Sequence, residues 1–425
     1  RMIDNDDIEK VKNMANIVDV VGDFVTLRRR GANYMGLCPF HNERTPSFSV
    51  SPAKGFCYCF SCHEGGDPVS FLMKIQNMTF IEAIRYLAQK YGVELHETEQ
   101  NDQQLQEARQ RESILNTNQF ALQFFEHQLR DTQEGTEQGK SLLYGLKLSD
   151  VTIATYRLGY APTDDTALPT YAQSQGFAKH LLTNAGICHY ADGDTHTLHQ
   201  AAVIIPVMSN SGKILAFSSL SPQQIKMPQE NPVYKPATQL FGLFQAKISI
   251  SKEKKAFITP DCVSAMLFSQ VGGQNVVATN GAAISATQLD LLKRLTPQVT
   301  IVSSKANDHL QKAFNMARQA LKAGFNVRLL TTPADASLAA YLQTLSASTF
   351  QQLLSEEADF ITYITAHTNT TAGAQQALKQ AALAIAMIPD EIKRSVYTSS
   401  VAAYLNMTED EVNSLVESFI RLSGF

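Results

Sequence analysis

Residues 38–62 read CPFHNERTPSFSVSPAKGFCYCFSC, and four of the chain's six cysteines lie within them. Two knuckles stand out: Cys38-Pro39-Phe40-His41 and Cys59-Phe60-Ser61-Cys62. A two-residue gap lets both ligands of a knuckle turn toward one point, and a hairpin between the knuckles brings the two points together. Three thiolates and one imidazole fill a tetrahedron with no open position, the ligand set of a structural zinc site. Buried, inert cysteines packing as small apolar groups are the other use of such residues. Paired knuckles at this distance favour a structural Zn²⁺ held by Cys38, His41, Cys59 and Cys62. Cys57 lies two residues from Cys59, on the same face of a strand, and is the substitute ligand on offer. Cys188 and Cys262 are isolated and read as core residues.

Basic and aromatic residues interleave around the cluster: Arg28, Arg29, Arg30, Tyr34, Arg44, Phe48, Lys54, Phe56 and Tyr58. Single-stranded nucleic acid needs this combination, cations for the phosphates and rings on which bases stack. The same residues serve equally as cover for a small core and as ordinary surface. Asp67-Pro68 starts a helix with a favourable N-cap and first position, and Thr79 with Glu82 caps the next.

The chain has 425 residues, 44% of them apolar and 18% charged, which describes a globular protein of two to four domains. Net charge is −4, so nucleic-acid contact must come from a local patch rather than from a polycation. The longest apolar runs, AAVIIPVM (201–208) and AALAIAMIP (381–389), are too short to span a bilayer. The start, RMIDNDDIEK, is acidic and does not read as a secretory signal. Cysteines used for metal rather than disulfides point to a reducing, cytoplasmic setting.

Residues 1–95 form the unit with the cysteines, and the polar stretch 96–113 reads as a flexible linker or a solvated helix. Residues 201–220 predict a hairpin around Asn210-Ser211-Gly212. From 256 to 332, strands (AFIT, NVVAT, VTIV, VRLLT) alternate with helices, which implies a parallel sheet. The tail from 350 is helical, with a capping box at Thr408–Glu411 and a core stripe of Val412, Leu415, Val416, Phe419 and Ile420.

The run IVDVVGDFVTLRRRGANYMGLCPFHNERTPSFSVSPAKGFCYCFSCHEGGDPVSFLM resembles the zinc-binding domain of bacterial DNA primases almost continuously. The likeness continues more weakly through SDVTIATYRLGYAP (149–162), VIIPVMSNSGKILAF (203–217), YKPATQLFGL (234–243) and IPDEIKRSVYTSSVAAYLNMTEDEV (388–412). It does not reach a separate C-terminal helicase-binding domain. The resemblance implies zinc at Cys38, His41, Cys59 and Cys62, and it adds weight to Arg30, Tyr34, Arg44 and Lys54 as DNA contacts. The expected architecture is multidomain α+β. It comprises a zinc-ribbon-like β module with helices (1–95), a linker (96–113) and an N-terminal subdomain of the RNA-polymerase-like domain (114–245). A Toprim-like parallel α/β sheet (246–345) and a helical subdomain (346–425) follow.

The α/β segment departs from that family where chemistry is concentrated. The family's Glu-Gly-x-x-Asp falls on Pro260, Asp261, Cys262, Val263 and Ser264, and its Asp-x-Asp on Ser304, Lys305 and Ala306. A later acidic loop has become TTPADAS, with Asp335 alone. Arginines expected beside the hairpin strands are Ala202 and Leu220. Mg²⁺ needs anionic oxygen ligands in fixed geometry, so these positions do not provide for it. The expectation is a primase-family replication protein that binds single-stranded DNA through its zinc module and is inactive in primer synthesis. An active primase using Asp261, Asp308 or Asp335, and a protein-binding adaptor at the replication fork, are the alternatives. Expected partners are single-stranded DNA and a replicative helicase, a competent primase or a single-strand-binding protein, with no membrane.

Overall fold

The computed structural model describes residues 2–3, 5–95, 97–98, 102–281, 283–366 and 373–423. The chain divides into two compact units, Arg1–Arg109 and Gln110–Phe425. Part of the expected linker, residues 96 and 99–101, lies outside the described residues. Residues 102–113 are the first part of the helix α5 (Asp102–Asp131).

In the first unit, α1 (Asn5–Met14), α2 (Ile17–Gly22), α3 (Pro68–Ile75) and α4 (Phe80–Tyr91) surround an antiparallel sheet. Its strands, in spatial order, are β1 (Arg28–Arg30), β2 (Asn33–Gly36), β3 (Phe48–Ser51), β4 (Phe56–Cys59) and β5 (Gly65–Gly66). Asp67 caps α3 ahead of Pro68, and Thr79 with Glu82 forms a capping box on α4, which satisfies amides a helix start leaves open. One sheet face buries Phe48, Val50, Cys57 and Cys59 against Val20, Val21, Phe71, Leu72 and Leu87. β5 approaches β4 so closely that a Cβ on Gly65 would sit 2.2 Å from the Cys57 carbonyl oxygen.

In the second unit, β6 (Gly159–Ala161), β7 (Ala202–Met208), β8 (Ile214–Leu220) and β9 (Ile225–Lys226) form an antiparallel sheet in the order β9-β8-β7-β6. β7 and β8 are the predicted hairpin, with Gly212 at φ +83° in its turn. A second sheet holds β10 (Ala256–Thr259), β11 (Val276–Ala278), β12 (Gln298–Ser304), β13 (Asn326–Thr332) and β14 (Ala358–Asp359), in the order β11-β10-β12-β13-β14. The first four strands are parallel and β14 is antiparallel. Side-chain alternation sends Ile258, Val299, Ile301 and Leu329 into one core and Phe257, Val302 and Leu330 into another.

The helices α6 (Cys262–Gln270), α7 (Ala286–Lys293), α8 (Asn307–Lys322) and α9 (Leu338–Leu342) follow these strands. β10 connects to β11 on one side, and β12 lies on its other side, so strand order reverses between β10 and β12. A crevice opens at the carboxyl ends of strands at such a point. The C-terminal helices Gly373–Ala386, Glu391–Leu405 and Glu409–Ser423 cover one sheet face, and Val412 and Val416 are buried there as predicted. Among the described residues, no helix is long and apolar enough to cross a membrane.

Candidate metal centre and nucleic-acid interface

The four predicted ligands converge. One donor atom each from Cys38, His41, Cys59 and Cys62 lies within 4.8 Å of every other. Cys38 Sγ and Cys62 Sγ are 3.7 Å apart, and Cys59 Sγ and His41 Nδ1 are 3.9 Å apart. Tetrahedral ligands at about 2.3 Å from zinc sit about 3.8 Å from one another, so the donors fit that ion. Each knuckle folds so that backbone N–H groups aim at sulfur: Phe40 N–H at Cys38 Sγ, and Ser61 and Cys62 N–H at Cys59 Sγ, all at 3.4 Å. Phe40 anchors the first knuckle edge-on against Phe48 and Phe71, with ring centroids 6.0 and 5.7 Å apart.

Burial pushes the Cys38 thiol up to about 12. Burial would raise Cys59 as well, but the Cys62 N–H, the Ser47 hydroxyl and the Ser61 N–H outweigh it and bring that thiol down to about 6. A cation among these sulfurs stabilises all the thiolates together. Closed coordination by four protein ligands leaves no position for substrate, so the metal's part is to hold the fold. Cys57 is outside the cluster: its Sγ–H donates to the Gly66 carbonyl at 3.3 Å, and burial raises its pKa to about 11.

Glu43 is a residue that ligand spacing does not reveal. It accepts from Cys38 N–H at 2.7 Å, from Ser47 N–H at 3.2 Å and from Ser47 Oγ–H at 2.6 Å. Its Oε2 lies 3.3 Å from His41 Nε2. The sequence signal is an acid two residues after an imidazole ligand, in His41-Asn42-Glu43.

Strand register sorts the predicted DNA contacts by face. Arg28 pairs with Met35, Met35 with Ser49 and Ser49 with Tyr58, so Arg28 and Tyr58 share the face opposite the core. Arg30 and Phe56 occupy the neighbouring row on that face. Phe56 and Phe60 are 41% and 65% exposed, and Tyr58 lies between them. Phe56 and Tyr58 stack with centroids 6.5 Å apart, and Phe60 meets Tyr58 edge-on at 5.4 Å. Tyr58 Oη is held 2.8 Å from His63 Nδ1. Arg44 and Lys54 are exposed on the loops flanking β3. Arg28, Arg30, Arg44 and Lys54 make no ion pair among the described residues. Arg29 and Tyr34 pair with each other on the opposite face, where Tyr34 packs against the core and Arg29 Nε–H donates to the Gly31 carbonyl. Phe60 is absent from the sequence prediction, although the alternation Phe56, Tyr58, Phe60 contains it.

Residues 3–103 match the CHC2 zinc finger family, and residues 124–247 match the N-terminal domain of the DNA primase catalytic core. The chain is 30% identical over 357 residues to the DNA primase of Halalkalibacterium halodurans, covering 82% of this chain and 59% of the relative. The chain belongs to the bacterial DNA primase family. It spans about half to three fifths of the length of the first curated primases it matches. The solved zinc-binding and RNA polymerase domains of Aquifex aeolicus primase superpose with a TM-score of 0.63 at 22% identity, covering 96% of this chain and 98% of that one. A DnaG primase catalytic domain bound to single-stranded DNA gives 0.61 at 18% identity, covering 72% of this chain and 99% of that one. At these identities the likeness speaks for the primase fold.

In the crevice of this primase-family chain, Asp261 follows β10 and caps α6. Its Oδ1 accepts from Ser264 N–H at 2.8 Å, and its Oδ2 from Ser264 Oγ–H at 2.7 Å. Ser304 ends β12 fully buried, with its Oγ 2.7 Å from His309 Nδ1. Ala306 takes the N-cap of α8 and supplies no side-chain cap, while Lys305, Asp308 and Asp335 are exposed.

Proposed function

We propose that this primase-family chain holds single-stranded DNA on the outer face of its zinc-module sheet and does not join ribonucleotides in its crevice. The observation that carries the first half is the exposed aromatic row Phe56, Tyr58 and Phe60. It shares a sheet face with Arg28 and Arg30, which stand across the intervening β2 and β3 and are free of ion pairs among the described residues. Rings at successive i+2 positions offer bases consecutive stacking surfaces, and the cations on the same sheet face meet the phosphates. A similar primase catalytic domain bound to single-stranded DNA supports the ligand class.

The second half rests on the crevice. Metal-assisted phosphoryl transfer needs carboxylates free to clamp two ions. Here Asp261 has both oxygens engaged as a helix cap, and Ser304 and Ala306 carry no charge. In this reading the chain comprises a zinc-binding domain (1–95), a connecting segment (96–113), an N-terminal polymerase-like subdomain (114–245), a Toprim-like subdomain (246–345) and a helical subdomain (346–425). Its work is then binding, beside a competent primase, a replicative helicase or a single-strand-binding protein.

Two measurements test the proposal. Fluorescence anisotropy with a labelled single-stranded oligonucleotide across a salt series is expected to give a log–log slope of about −0.7 per phosphate contacted. Ribonucleotide incorporation on a single-stranded template with Mg²⁺ or Mn²⁺ is expected to give no product. Template-dependent product that disappears in Asp261→Ala or Asp335→Ala would sink the second half and leave the first standing.

A further inference from the structure

Where strand order reverses, the ends of β10 and β12 open onto a cavity of about 620 Å³, within the range that encloses a small-molecule ligand. Leu220 from β8, Val263 from α6, Met316 from α8 and Leu338 from α9 give it aliphatic walls, and no Phe, Tyr or Trp lines it among the described residues. Ser304, His309 and Lys312 offer it hydrogen-bond donors from β12 and α8, and Asn280, Ser303 and Ser337 line it as well. Ser304 Oγ lies 2.7 Å from His309 Nδ1, and in the tautomer in which that nitrogen accepts, Nε2–H is the ring's outward donor. Lys312, at the rim, makes no ion pair among the described residues. The first turn of α8 beside them has no side-chain cap, so its positive end adds to the same wall.

The chemistry of the cavity selects among occupants. A nucleobase finds no Phe, Tyr or Trp to stack on, only the imidazole of His309. A divalent cation finds one lining carboxylate, Asp261, with both oxygens accepting from Ser264. An aliphatic chain gains from leaving water against Leu220, Val263, Met316 and Leu338, and an anionic head meets a lysine and an imidazole N–H. We propose that this cavity binds an aliphatic monocarboxylate, its chain among those four residues and its carboxylate accepting from Lys312 and His309. The site uses no metal, and it rests on the reading that this crevice does not join ribonucleotides.

Isothermal titration of the full chain with dodecanoate, kept below its micelle-forming concentration, tests the site. The expected result is saturable one-to-one binding, with dodecylamine (same chain, opposite head) and butyrate (same head, short chain) each at least about tenfold weaker. Lys312→Glu, at an exposed position, is expected to weaken dodecanoate binding about tenfold. Ala339→Phe, from a half-exposed lining position on α9, is expected to abolish binding while leaving the thermal melt of the ligand-free protein unchanged. If Ala339→Phe perturbs the melt, Lys312→Glu decides alone. Non-saturable uptake, equal affinity for dodecylamine, or dodecanoate binding unaffected by Lys312→Glu overturns the proposal.

Discussion

Glu43 Oε2 lies 3.3 Å from His41 Nε2, while the same carboxylate accepts from the Cys38 N–H and from both donors of Ser47. One acid therefore orients the imidazole ligand through the nitrogen that does not face the sulfurs, and it ties the first knuckle to the loop that follows it. A carboxylate that accepts the second N–H of a metal-bound histidine fixes its tautomer and strengthens it as a ligand.

Glu43→Gln is therefore expected to weaken zinc binding by about 10- to 100-fold, because an amide accepts less strongly from the imidazole N–H. Competition against a chromophoric chelator measures it. Unchanged zinc affinity would remove Glu43 from the centre.

Two cysteines on one strand should behave oppositely. Cys59→Ser is expected to abolish stoichiometric zinc and to loosen the first unit, since a closed structural site contributes directly to folding. Cys57→Ser is expected to keep one zinc per chain, because its thiol donates to Gly66 and faces no ligand atom. Elemental analysis of the two purified variants reads the difference.

The two faces of β1 make a paired test of DNA contact. Arg28→Ala and Arg30→Ala are each expected to lower affinity for a single-stranded oligonucleotide and to reduce the salt slope by about 0.7. Arg29→Ala, on the opposite face, is expected to leave the slope unchanged. Phe60→Ala should cost about 1–3 kcal/mol of binding through lost stacking, with the slope intact. Equal slopes for the three arginine variants would break the assignment of faces.

His199 gives the second unit a pH dependence. Its ring is buried, 2.9 Å from Ser219 Oγ, and burial, with Lys226 nearby, holds its pKa down to about 4. An unfolded histidine titrates near 6.5. As pH falls below that value the unfolded chain takes up the proton first, so stability declines between about 6.5 and 4, by about 3 kcal/mol over the window. Urea denaturation at several pH values should therefore show a shallower acid loss in His199→Gln than in the native chain. Identical pH profiles would assign the loss to other groups.

Much of this fold is legible in local patterns. The ligands Cys38, His41, Cys59 and Cys62, the hairpin around Gly212 and the caps at Asp67, Thr79 and Thr408 each depend on residues a few positions apart. Phe60 escapes notice because it lies one position past the end of β4, in the turn of the second knuckle, where a strand reading stops. Tyr34 reads from sequence as a base-stacking ring, but the register of β2 with β3 turns it toward the core.

The sequence by itself determined the zinc ligand set and the alternation of strands and helices. Ligand chemistry and hydrophobic period are properties of short segments, so they can be read before the chain is folded. Tertiary structure alone decided that Glu43 reaches both His41 and Ser47, and that Arg28 rather than Arg29 shares a face with Tyr58. It also decided that Asp261 spans both donors of Ser264, and that β8, α6, α8 and α9 enclose one aliphatic cavity. Each of these depends on side-chain direction, strand register or a crossover between distant segments, and a single residue of slip would have reversed it.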